Sequence, residues 1–326
     1  FGASVAGVLL ILGVGIMLWM KPEENGVWEG EKTVEPGIGQ VVLTLGDGES
    51  MPLKRDTNRL IFGGTMLQVR NERGTLVYSR IKSKEASEKI VYNTLTVPVR
   101  ERFQLVLADG TKVFLNSGSE MRYPERFGKA RREVFLKGEA WFEVAKDSAR
   151  EFWVHAGAMD VKVLGTSFNV KAYERLETVA TTLVEGSVEV ACAGKSFQIV
   201  PGEQFVYDKN NRVMDVRMVD TESYVSWKDG YYKFRQTTLE EIMETLSVWY
   251  GLNVFYVNES AKQVEFTGKV KRYEDARMLL DKFEQTGDVV FDIKGNNVFI
   301  TIKQKKPFAR EWNSFLVKAR GMVWQS

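Results

Sequence analysis

Between residues 41 and 208 the chain repeats one device, a short run alternating apolar and polar residues followed by a turn. Alternation puts successive side chains on opposite faces of an extended strand, so each run buries one face. VVLTL (41–45) leads into Asp47-Gly48, and FQLVL (103–107) and KVFLN (112–116) flank Asp109-Gly110. Glycine accepts positive φ, so Asp-Gly between alternating runs marks a hairpin. REVFL (132–136), EAWFEV (139–144), EFWVH (151–155), MDVKVL (159–164), SFNVKAY (167–173), VATTLV (179–184), SVEVAC (187–192), FQIV (197–200) and QFVYD (204–208) continue the series. Ala140, Phe142 and Val144 share one face, with Trp141 and Glu143 on the other; Val188, Val190 and Cys192 also share a face. Such strands at regular spacing predict a β-sandwich, a barrel or an irregular β-solenoid.

The period changes near Trp227. YYKFR (231–235) reads as a strand, and TTLEEIMETLSVWYG (237–251) reads as a helix. Thr238 and Glu241 can form a capping box, Leu239, Ile242, Met243, Leu246 and Tyr250 recur at helical spacing, and Gly251 can end the helix. LNVFYV (252–257) follows as a strand. A second unit repeats the scheme: strand VEFTGKV (264–270), helix within 273–287, and strands VVFDI (289–293) and NVFITI (297–302) across a Gly295-Asn296 turn. In this second helix Ala276, Leu279, Leu280 and Phe283 share a face. The order predicts a small α+β domain of two similar βαβ halves.

The chain opens with FGASVAGVLLILGVGIMLWM, uninterrupted by charge. At about 1.5 Å per residue this run spans roughly 30 Å as a helix, the thickness of a bilayer core. It lacks the basic start and short apolar region of a signal peptide, and it lacks the polar face of a core helix. The reading is one transmembrane helix over 1–20, a linker over 21–37, a β domain over 38–222, the α+β domain over 223–303 and a basic, aromatic tail over 304–326. Acid outnumbers base in the flank after the span, which places the bulk of the chain outside the cytoplasm. The chain begins at Phe1 without a Met, and further residues are expected upstream.

Composition narrows the chemistry. The 45 basic and 43 acidic residues nearly cancel, so no global field favours nucleic acid. A single Cys and a single His exclude an internal disulfide and the usual Cys/His zinc site. His155 ends the EFWVH run with no catalytic motif around it, and Cys192 faces the core side of its strand. No nucleophile elbow, phosphate loop or dinucleotide fingerprint occurs. No catalytic, cofactor or metal residue is assigned. In RFGKARR (126–132), Arg126, Lys129, Arg131 and Arg132 read as a solvated basic loop, or as a surface for an acidic partner or lipid headgroups. The aromatic residues Trp227, Tyr231, Tyr232, Trp249, Tyr250 and Tyr256 read as core packing, with any exposed subset open to a partner.

Several blocks resemble one family. LADGTKVFLNSGSEMRYPERF (107–127), RREVFLKGEAWFEVAKD (131–147), VLGTSFNVKAY (163–173), TTLVEGSVEV (181–190) and PGEQFVY (201–207) are similar to FecR-like anti-sigma regulators of the Bacteroidetes type. YNTLTVP (92–98) and the Trp227-Lys228-x-Gly230 stretch agree. The small domain resembles the secretin/TonB short N-terminal fold. The motif positions are Asp109, Gly110, Asn116, Tyr123, Pro124, Gly138, Gly165, Phe168, Asn169, Gly186, Pro201, Gly202, Trp227 and Gly230. VPVRERFQL (97–105) departs from the family, whose members carry a Pro-Arg-Gly-type turn there.

The resemblance implies a single-pass inner-membrane signal transducer without enzymatic activity. Its partners would be an extracytoplasmic-function sigma factor, bound by an upstream cytoplasmic segment, the signalling domain of a TonB-dependent outer-membrane transporter, and intramembrane or periplasmic proteases. Exposed-edge logic selects Asn253, Phe255, Val257, Val264, Phe266, Gly268 and Val270 as the partner surface. Two other readings compete: a membrane-tethered assembly module, and a β-rich periplasmic glycan hydrolase. VLGTSFNV (163–170) reads as scaffold. Gly165 permits a turn, Phe168 and Val170 face the core, and Asn169 bonds backbone nearby.

Overall fold

The computed structural model describes residues 39–54, 58–63, 67–72, 74–80, 90–272, 275–285 and 288–303. All of them belong to one compact unit. The expected membrane span, linker and tail lie outside the described residues. Among the described residues no helix is long and apolar enough to cross a membrane.

The alternating runs form two β-sheets that share one strand. That strand, Arg132–Glu143, joins what the sequence reads as two. Its first half pairs with Glu120–Pro124 and Phe152–Ala156, and its second half with Lys112–Leu115 and Ser167–Ala172. The change of partners falls at Gly138, whose φ is +103°. An added Cβ there would lie 2.4 Å from Ser119 Oγ, so only glycine lets the strand cross from one sheet to the other. Within these two sheets, among the described residues, pairing is antiparallel except between Arg132–Glu143 and Phe152–Ala156 and between Thr75–Arg80 and Phe103–Val106. The sheets do not close into a barrel.

Both sheets contribute inward side chains to one core. Val134, Val154, Val161 and Val190 come from one sheet, and Phe142, Phe168, Leu183 and Phe205 from the other. Phe142 stacks on Phe168 at 5.2 Å and meets Phe152 edge-on at 6.2 Å. This is the sandwich among the expected alternatives, since a solenoid would stack parallel coils.

From residue 221 the architecture changes. A short helix, Thr221–Val225, and a 3-10 turn, Ser226–Asp229, lead into the strand Tyr231–Thr238. The helix Leu239–Tyr250 starts at Thr238, whose hydroxyl accepts from the Glu241 N–H, and stops at Gly251 with φ +69°. The strands Asn253–Tyr256, Asn297–Ile302 and Val289–Lys294 form one sheet, and Tyr231–Thr238 pairs with Glu265–Lys271 in another. The helices Leu239–Tyr250 and Ala276–Glu284 bury the predicted stripes in one core shared with these strands.

Candidate functional site

Asn116, Asn169 and Trp227 of the motif converge on a seam between the sandwich and the C-terminal part. Asn116 and Asn169 each donate a side-chain amide hydrogen bond to Glu139, at 2.8 and 2.9 Å. Asn169 Oδ1 accepts in turn from Trp227 Nε1 at 3.3 Å. Trp227 sits in the 3-10 turn closed by Gly230, and its indole is buried. The expectation that Asn169 bonds nearby backbone is thus corrected: its side chain bonds Glu139 and Trp227 instead. Its side chain is enclosed between a carboxylate and an indole, which use its donor and acceptor ends. Burial pushes the Glu139 carboxyl pKa up, against the opposing pull of Lys171 and the two amides. A cleft of about 250 Å³ opens beside the network, with Lys171, Gln204, Trp227 and Glu244 among its lining.

The seam also runs through an apolar exchange and a helix end. Trp141 projects from the sandwich strand away from that domain's core and enters the core of the C-terminal part. Ser117 Oγ donates to the carbonyls of Val248 and Trp249, and the Arg100 N–H donates to Trp249 O. Arg102 bonds the Lys228 carbonyl. Carbonyls in the last turn of a helix lack helical partners; here the sandwich supplies them. Arg100 has φ +69°, the left-handed region that ordinarily favours glycine. None of Trp141, Ser117, Arg100 or Arg102 stood out in the sequence, because only the packed C-terminal part gives them a role.

Other motif positions hold the sandwich. Asp109 accepts from Thr111 and receives Arg132 Nη1 at 2.9 Å. Arg132 is wholly buried and also bonds the carbonyls of Ala145 and Arg150. It is thus no part of a solvated basic loop: fixed carbonyls and Asp109 replace its water. Gly110, Gly186 and Gly202 take positive φ. The Gly202 N–H, after Pro201, donates to Leu183 O. Tyr123, next to Pro124 in its strand, hydrogen-bonds Tyr78. Gly165 serves close approach rather than a left-handed turn, since an added Cβ would lie 2.8 Å from Lys146 Cα. Phe168 and Val170 are wholly buried in the core.

His155 has both ring nitrogens against carboxylates, Asp160 at 2.7 Å and Glu133 at 3.4 Å. Cys192 is buried, which raises its thiol pKa. Among the described residues no group of His, Cys, Asp and Glu could hold a metal ion.

The residues selected as a partner surface fall on two sheets. Phe255 and Val257 are 48% and 62% exposed, and Asn253 is exposed beside them. Phe255 stacks on Phe299 at 5.1 Å. On the second sheet Gly268 is open, Val264 and Val270 pack partly against the core, and Phe266 is buried against Phe283. Phe266 is thus not available to a partner: its side chain fills the space over the helix Ala276–Glu284.

The family described as FecR protein matches residues 93–189, and the one described as FecR, C-terminal, matches 231–300. Two crystal structures of a candidate anti-sigma factor from Parabacteroides distasonis ATCC 8503, at 1.65 and 2.50 Å, each match with TM-score 0.59 and 27% identity. Each match covers 65% of this chain, and 99% and 100% of those chains, respectively. No curated protein matches significantly. The two matched segments cover the middle of the sandwich and most of the C-terminal part that grips it, and the chain belongs to the FecR-like anti-sigma factor family.

Proposed function

We propose that this chain is the receiving portion of a single-pass inner-membrane anti-sigma regulator. In this reading residues 38–303 lie in the periplasm and bind the signalling domain of a TonB-dependent outer-membrane transporter. Binding leads through proteolysis to release of an extracytoplasmic-function sigma factor held by a cytoplasmic segment. Residues 1–20 provide the membrane anchor. The observation that carries the reading is the exposed apolar strand Asn253–Tyr256 with Val257, on a part that is itself welded to the sandwich. Phe255 and Val257 are large exposed apolar groups beside a strand edge that is unpaired among the described residues, the combination a protein partner would cover.

The test is calorimetric titration of residues 38–303 with the signalling domain of the transporter encoded beside it. We expect saturable one-to-one binding that Phe255→Glu with Val257→Glu weakens at least tenfold, about 1.4 kcal/mol. No heat at about 100 μM signalling domain, where weak transient pairs register, would overturn the proposal.

A further inference from the structure

The segment joining the two parts is acidic and lies on a basic surface. Asp220 caps the helix Thr221–Val225, and Glu222 stands in its first turn. Both reach the ribbon formed by Tyr231–Thr238 and Glu265–Lys271. Tyr232 and Phe234 of that ribbon are buried, so alternation turns Tyr231, Lys233 and Arg235 outward. Opposite them in register, Lys271 faces Tyr231 and Lys269 faces Lys233. Like charges directly opposed across strands repel. The linker offsets this. Lys233 Nζ is 2.5 Å from Glu222 and 3.0 Å from Asp220. Lys269 Nζ is 3.9 Å from the other Glu222 oxygen and 3.6 Å from the Tyr231 ring centroid. Arg235 reaches Asp220 at 4.0 Å. Lys271 makes no ion pair among the described residues. Four cations thus face Asp220 and Glu222, and with Glu265 at the far end of the same outward face the surface keeps a surplus of one positive charge, gathered at the Lys269–Lys271 end.

The same ribbon has an unused edge. Among the described residues Glu265–Lys271 pairs only with Tyr231–Thr238, so its outer side presents backbone donors and acceptors. A strand added there would set alternate side chains beside Lys269 and Lys271, and the others beside Val270 and the core. We propose that the ribbon docks an extended acidic segment of a partner protein, and that Glu222 and Asp220 are built-in competitors that such a segment displaces. The proposal rests on the reading that the C-terminal part meets a protein partner.

The probe is an alternating Glu-Val peptide of strand length, about six residues, with a Gln-Val peptide as control. Each is titrated into the full chain by fluorescence anisotropy at two salt concentrations. The Glu-Val peptide is expected to bind, to weaken as salt rises, and to outbind the control about tenfold. Lys269→Glu with Lys271→Glu, both exposed positions, should abolish binding with an unchanged Tm. Glu222→Gln should tighten it about two- to fivefold, the change that loss of a competing surface ion pair supports. Equal binding of both peptides, indifference to the charge reversal, or weaker binding by Glu222→Gln would overturn the proposal. The reversed chain is also titrated with the transporter's signalling domain. Undiminished binding there sinks the ribbon and leaves the proposed function standing. Peptide binding without any signalling-domain binding does the reverse.

Discussion

Glu139 sits where its charged form is disfavoured. A carboxyl only 8% exposed is held by two carboxamides, and burial raises its pKa above the ordinary 4.5. Such a group binds its proton more tightly folded than unfolded. Its contribution to stability therefore falls as pH rises from 4.5 toward the raised value, and recovers as pH falls through the same window. Glu139→Gln removes the titration, so the Tm of the variant should vary less with pH across that window than the Tm of the natural chain. It also leaves one asparagine amide facing an NH2 group, a loss of about 1–3 kcal/mol that lowers the Tm at its acid end. Parallel pH slopes for the two proteins would refute the argument. Gly165 poses a steric question. A valine there meets the Lys146 backbone rather than a flexible side-chain end, so Gly165→Val should cost about 3 kcal/mol or more and lower soluble yield. An unchanged melting temperature would show that the strands can part at that point.

Among the elements, the helix Leu239–Tyr250 shows how far the sequence could be read. Its limits, its cap and its apolar stripe are all legible, because each depends on residues within the helix. Trp249 borders that stripe and Val248 lies opposite it, yet both are buried. Val248 packs on Tyr173 and Leu176 of the sandwich, and the guanidinium of Arg272 covers Trp249 at 3.7 Å. That second buried face comes from tertiary packing, which helical period does not encode. The strand Val213–Met218 escaped notice for a related reason. Among the described residues it pairs on one side only, and Val213 and Met218 are exposed, so it lacks the apolar alternation that marks a half-buried strand. Alternation did place Trp141 on the far face from Phe142, but could not say what covers that face. The structure answers with the C-terminal part. Trp141→Ala should therefore cost about 3–5 kcal/mol, although the residue lies outside the core of the domain that carries it. A loss below about 1 kcal/mol would mean that the two parts touch there without packing.

At the scale of the whole molecule, a transducer must pass an event at one end to the other. Domains within a chain ordinarily move against one another unless their interface is large and apolar. Here the seam combines three kinds of contact. Trp141 sits in the C-terminal core. Ser117 and Arg100 complete the end of the helix Leu239–Tyr250. The buried chain Glu139–Asn169–Trp227 links the two parts by hydrogen bonds. Separating the parts would expose an indole, leave helix carbonyls unpaired and strip a buried carboxyl of its order, so half-separated states are costly. Residues 38–303 should then unfold as one cooperative unit. Calorimetry should show a single transition whose van't Hoff and calorimetric enthalpies agree, and residues 223–303 alone should melt lower and less sharply. Two resolved transitions, or an isolated C-terminal part as stable as it is in the chain, would show a hinge at Trp227. A partner bound at Phe255 could then move the C-terminal part without moving the sandwich. With a single transition, the displacement of either part is the displacement of both.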